Sequence, residues 1–315
     1  MRRLTLLVLV ALLSACVTPP APTPIPTPKP PLKIALALGG GAARGFAHIG
    51  VIKALEAQGI TPDIVVGTSA GSVVGALYAS GMSGFEMQKL ALGLEEDMVA
   101  DWTLPNRGVL KGEALQEFIN QKVKNLTIQK MPKTLGIVAT DLQSGEMVLF
   151  RQGNTGIAVR ASSALPGVFQ PVEINGRDYV DGGLTSPVPA QSARNMGSDF
   201  VIAVDISNVN RRNKLTGTLD VMLQTFAIMG HSISTHELKD ADVVVRPITS
   251  AVSSTDFEDR HLAILEGERA AAAVMAELKA KLAKARARYS PCHFSHTSAH
   301  LYAALEGLAI RSRII

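Results

Sequence analysis

A chain of 315 residues, 47% hydrophobic and 18% charged, can bury a sizeable core, which excludes a disordered or fibrous protein. Its formal net charge of +4 is weak and no basic patch is concentrated, so nucleic acid is not the expected partner. Aromatic residues are only 4%, and close packing of Ala, Val, Leu and Gly must carry much of the core.

The first residues are not part of a fold. Arg2 and Arg3 precede an apolar run, Leu4 to Leu13, too short for a comfortable transmembrane helix. The string Leu13-Ser14-Ala15-Cys16 resembles a bacterial lipobox, whose cysteine is acylated after cleavage before it. A plain secretory signal would also carry an apolar run, but here the cysteine sits where cleavage makes it the first residue. Residues 1–15 are therefore read as a lipoprotein signal peptide and Cys16 as the lipidated residue. Eight prolines lie between positions 19 and 31. Residues 16–31 thus read as an extended polyproline tether, reaching about 40 Å at ~3.1 Å per residue. The expected location is the bacterial cell envelope, with membrane lipid as the anchor. Once Cys16 is acylated only Cys292 remains, so no intrachain disulfide is expected.

From residue 32 to 290 strand-like and helix-like segments alternate. Residues 32–38 read as a strand, 46–59 as a helix ended by Gly59, 63–67 as a strand and 70–80 as a helix ended by Gly81. Residues 82–112 carry Met82, Phe85, Met87, Trp102 and Leu104, which suit either an amphipathic lid or, more commonly, core. Helices are expected over 112–123, 155–164, 187–196, 218–238 and 262–288. Strands are expected over 135–142, 146–150, 177–183, 199–207 and 241–248. The last helix places Glu266 and Glu268 early and Lys281, Lys284, Arg286 and Arg288 late, which suits its dipole and a solvated face. This order predicts an α/β fold with a mainly parallel sheet. The composition changes after Pro291. Residues 291–315 read as a weakly ordered tail, in preference to a metal site built on Cys292, His293, His296 and His300.

Three short stretches carry chemistry. Gly67-Thr68-Ser69-Ala70-Gly71 is a Gly-x-Ser-x-Gly elbow between a strand and a helix, which presents Ser69 as a nucleophile rather than as an ordinary cap. Gly67 and Gly71 leave room for the chain to reverse. The loop Leu38 to Gly45, with Gly39, Gly40 and Gly41, exposes backbone amides. It fits a dinucleotide fingerprint poorly, because Ala42 replaces the middle glycine and the second strand ends in the serine elbow. An oxyanion hole is the better reading. Asp181 ends a strand before Gly182 and Gly183, which permit a tight turn. It serves either as a base acting directly on Ser69 or as an ordinary turn residue. None of the seven histidines announces a base from its context, and His48 reads as a polar contact. Arg44 reads as a loop pin or a phosphate contact. Ser163 reads as capping a turn ended by Pro166, and Ser162 beside it carries no separate reading.

In that order, "GGGAARG", "GTSAG" and "DGG", with "ASSALPGVFQPV" at 161–172, resemble the patatin-like phospholipase family over about residues 32 to 250. The resemblance implies a three-layer α/β/α fold and lipid acyl hydrolysis without a metal cofactor. It implies Ser69 as nucleophile, Asp181 as base and the Gly40, Gly41 and Ala42 amides as oxyanion hole, with membrane lipids as substrate. Ala42 departs from the commoner glycine, and its amide keeps its place provided φ stays negative. Two alternatives remain: a Ser–Asp–His triad using Asp205 with His231, His236 or His261, and a binding lipoprotein without turnover.

Overall fold

Apolar runs without alternation need cover on both faces, and the central strands have it. The computed structural model describes residues 31–94, 110–207, 217–249 and 258–289. The expected signal peptide, Cys16, the 291–315 tail, Trp102 and Leu104 lie outside the described residues. β1 (Ile34–Leu38) is flanked by β2 (Ile64–Thr68) and β7 (Phe200–Val204), both parallel to it. β8 (Val243–Val245) extends the parallel set beyond β7, and β3 (Thr134–Asp141) extends it beyond β2. The remaining strands, β4 (Met147–Phe150), β5 (Val172–Ile174) and β6 (Arg177–Asp181), are antiparallel and gather at the β3 end. The sheet is mixed with a parallel centre, as the order of elements predicts.

Alternate residues of β1 feed two cores. Ile34, Leu36 and Leu38 join the larger one, under α1 (Phe46–Ala57), α2 (Ala70–Ala79) and α8 (Arg260–Tyr289). Ala35 and Ala37 join the smaller, with Val188, Ala190 and Ala193 at α6 (Ala190–Asn195). Helices on both faces of the sheet make three layers. α4 (Glu113–Lys122) and α5 (Thr155–Ser162) add to the larger side, and α7 (Thr218–Glu237) precedes β8. Among the described residues no helix is long and apolar enough to cross a membrane.

Two elements were not foreseen. β5 is only three residues, below the length at which periodicity is readable. Within the 82–112 stretch, Gly84–Leu92 forms helix α3, started by a capping box between Ser83 and Glu86. Met87 is fully buried and Met82 packs against the same core, while Phe85 is 74% exposed, so one face of α3 packs as core and the other is open. The long α8 also does more than present a charged face. A Cβ on Gly50 of α1 would lie 1.9 Å from the Ile264 carbonyl, and one on Gly267 would lie 2.0 Å from the Ala47 carbonyl. Backbone meets backbone at this crossing, and Lys53 pairs with Glu268 beside it.

Candidate active site

The elbow forms because β2 must turn sharply into α2 with almost no space. A Cβ on Gly67 would lie 2.3 Å from the Gly71 carbonyl oxygen, and one on Gly71 would lie 2.1 Å from that of Leu38. Ser69, between them, takes φ 52° and ψ −123°, a conformation L-residues avoid and that surrounding structure must hold. Ser72 Oγ donates to the Ser69 carbonyl at 2.7 Å and closes the first turn of α2. Ser69 stays half-buried, with α2 starting at the next residue.

β3 brings the second group to it. Thr68 ends β2 opposite Val138, running parallel to β3. Asp181 ends β6 opposite Ala139, running antiparallel to β3. β4 occupies the other edge of β3 at these positions, so β2 and β6 share one edge and their C-terminal ends abut. Ser69 Oγ consequently donates to Asp181 Oδ2 at 2.7 Å. The other carboxylate oxygen, Oδ1, accepts from the Gly183 amide at 2.7 Å. The turn contact and the contact to the Ser69 hydroxyl therefore coexist on Asp181, one oxygen for each. A Cβ on Gly182 would lie 2.4 Å from the Val138 carbonyl oxygen, which explains the small residue there. Asp181 is 5% exposed, and burial pushes its carboxyl up to about 6 against the opposing hydrogen bonds from Ser69 and Gly183.

The glycine loop arrives from the end of β1. Gly40 faces Ser69, since a Cβ on it would lie 3.2 Å from Ser69 Cβ. Its amide, however, donates to the Pro187 carbonyl at 3.0 Å, so the expected set of three open loop amides is reduced. The amides of Gly41 and Ala42 make no hydrogen bond among the described residues. The Gly41 carbonyl accepts from the Arg44 amide at 3.2 Å and from Arg44 Nε at 3.1 Å. Because the peptide is planar and trans, that grip points the Ala42 N–H the opposite way. Arg44 thus takes the loop-pinning role. Ala42 has φ 52°, contrary to the expected negative φ, in a region that favours glycine. Its N–H direction is nevertheless set by the Gly41–Ala42 peptide plane, and the amide stays without a partner among the described residues.

A family profile described as patatin-like phospholipase matches residues 36–194, a stretch holding the elbow, the loop and Asp181. The chain belongs to the patatin-like phospholipase family. An uncharacterized NTE family protein of Mycobacterium bovis is 37% identical over 174 residues, covering 54% of this chain and 48% of that protein. Human patatin-like phospholipase domain-containing protein 6 is 37% identical over 179 residues, 54% of this chain but 13% of that protein. The chain spans about half the length of the mycobacterial relative it matches. The crystal structure of VipD from Legionella pneumophila shares the fold, with a TM-score of 0.54, 16% identity, and coverage of 79% of this chain and 67% of that one.

None of the four described histidines hydrogen-bonds Ser69 or Asp181 in this patatin-like site. His48 is fully buried, and burial pushes its imidazole down to about 4, so it is neutral. Its Nε2 lies 2.7 Å from the Gly39 carbonyl and, facing an acceptor, donates to it. His231, His236 and His261 are exposed. Asp205 accepts from the Ser207 amide and hydroxyl and lies 3.5 Å from Arg246, so it does not assemble a triad with them. Ser162 has a role that sequence reasoning missed: its Oγ accepts from the Ser69 amide at 2.8 Å and holds the strained residue in place. The signal was present in the 161–172 block, but nothing local distinguished Ser162 from Ser163, whose buried hydroxyl makes no hydrogen bond.

Proposed function

We propose that this protein is a serine acyl hydrolase that cleaves ester bonds of phospholipids or lysophospholipids through a Ser69–Asp181 dyad. The observation that carries the reading is the 2.7 Å hydrogen bond from Ser69 Oγ to a buried carboxylate. Asp181 Oδ2 takes the hydroxyl proton as Oγ bonds to the ester carbonyl carbon, whose π electrons move to its oxygen. That oxyanion is received by the Gly41 and Ala42 amides, beside the positive end of α2. Collapse expels the alcohol, which takes the proton from Asp181, and leaves an acyl-serine. Water, deprotonated by the same carboxylate, then attacks the acyl carbon, the bond to Ser69 Oγ breaks, and Oγ takes that proton back from Asp181 as the fatty acid is released. An acylated Cys16 and the proline tether would set this chemistry at a membrane of the bacterial envelope, beside its substrates.

The test is release of fatty acid from phospholipid and lysophospholipid vesicles, with fluorophosphonate labelling as a second readout. Ser69→Ala and Asp181→Asn are each expected to lose ~10³-fold or more in kcat while remaining folded. Ser69→Ala is expected to lose the label. EDTA should leave the rate unchanged, because this reading gives carbonyl polarisation to backbone amides. In the same preparations wild type should sediment with membranes and Cys16→Ser should not. A folded wild type that neither labels nor hydrolyses would return the reading to a binding lipoprotein.

A further inference from the structure

The family motifs end at the glycines after Asp181, yet the residues that follow them reach two parts of the site. Thr68 Oγ1, one residue before the nucleophile, donates to the Ser186 carbonyl at 2.8 Å. The Gly40 amide donates to the Pro187 carbonyl at 3.0 Å. The Gly39 amide is anchored separately, on Val204 of β7 at 3.0 Å. Residues 186–188 thus form a buried strap whose carbonyls hold the elbow on one side and the glycine loop on the other.

The Ser186 amide donates to the Gly182 carbonyl at 2.8 Å, and the strap's two other donors face α7. Ser186 Oγ donates to Glu237 Oε1, and the Val188 amide donates to Glu237 Oε2 at 3.0 Å. The same helix runs along the turn after Asp181, since a Cβ on Gly230 would come within 4.0 Å of the Gly183 carbonyl. We infer that Glu237 is a positioning residue for the proposed hydrolase: clamping Ser186 and Val188, it fixes the carbonyls that hold Gly40 and Thr68. A carboxylate suits the task because it offers two acceptor oxygens to two donors two residues apart. Burial pushes this carboxyl up to about 7, against the Ser186 and Val188 hydrogen bonds that favour its charged form, and Asp240 raises it further. Retaining so costly a group here is intelligible if the clamp matters.

The inference rests on the dyad reading, and its test separates the two. Glu237→Ala, Glu237→Gln and Ser186→Ala are compared in the full chain by hydrolysis of p-nitrophenyl butyrate and by amide hydrogen exchange of peptides covering 38–45 and 64–72. Glu237→Ala should lower kcat tenfold or more with KM within twofold, and should speed exchange in both peptides. Glu237→Gln should recover kcat to within threefold, because its amide oxygen can accept from Val188 while its NH₂ donates to a turned Ser186 hydroxyl. Ser186→Ala, losing one of the two bonds, should fall between them, and it serves if Glu237→Ala does not fold. A folded Glu237→Ala with wild-type kcat overturns the inference, as does a Glu237→Gln defect equal to that of Glu237→Ala. Should wild type show no turnover, the dyad reading fails and exchange alone decides. Unchanged exchange in both peptides then overturns the clamp.

Discussion

Two places in this molecule bring backbone against backbone through glycine, and they do so for different ends. At the elbow a Cβ on Gly71 would sit 2.1 Å from the Leu38 carbonyl; at the α1–α8 crossing one on Gly50 would sit 1.9 Å from that of Ile264. The sterics are equivalent, but the strain is not. Ser69 and Ala42, both in the site, are non-glycine residues at φ 52°, whereas no residue of the two crossing helices has positive φ. The crossing uses glycine to pack without strain. The site uses it to hold side chains and amides in conformations the backbone resists.

Substituting the two glycines alike should separate these purposes. Gly71→Ala forces α2 away from β1 and the loop, so kcat per folded molecule should fall by ~10³-fold, the scale of a lost catalytic arrangement. Gly50→Ala should cost about 3 kcal/mol in denaturant unfolding, at the upper end of ordinary overpacking, with kcat within twofold. Equal activity losses in the two variants would break the comparison.

The buried carboxylate offers a second separation. Asp181 is raised to about 6 in the folded chain against an ordinary 3.8, so the native state keeps its proton longer than the unfolded one. Its contribution is therefore fully present below about pH 4 and is lost as pH rises through 6. Asp181→Asn cannot titrate and can still bond Ser69 and Gly183. It should match wild type near pH 4 and exceed it at pH 8 by on the order of 2 to 3 kcal/mol, read by denaturant unfolding at both values. Under the proposed dyad, wild-type kcat should rise over the same window, because only an ionised Asp181 could take the Ser69 proton. A pH-independent difference would show that burial is not what shifts this group. The smallest effect belongs to the loop: Ala42→Gly should stabilise by about 0.5 to 1 kcal/mol, since it relieves a left-handed alanine at some cost in chain entropy. A melting temperature unchanged or lowered would contradict the strain.

Much of this was local and therefore readable. The runs around Ala35, Val65 and Ile202 are apolar on both faces because both faces are covered, and their alternation with helices implied a parallel sheet. Gly67, Ser69 and Gly71, like Asp181, Gly182 and Gly183, sit together in the chain, so their spacing marks a sharp turn even though the carbonyls that crowd Gly71 and Gly182 belong to the distant Leu38 and Val138. What the tertiary structure alone decided is which distant partner each group meets. The abutment of β2 and β6 depends on where each registers along β3, and register leaves no mark on either strand's composition. The Gly40 amide looked open in the loop until the strap placed the Pro187 carbonyl against it. Ser162 and Glu237 are ordinary helix residues by sequence and acquire roles only when folding sets the Ser69 amide and Ser186 before them. Sequence by itself marked the sharp turns because the small and polar residues that make them are consecutive in the chain. Hydrogen-bond partners far along the chain are chosen by packing, and only the folded sheet specified them.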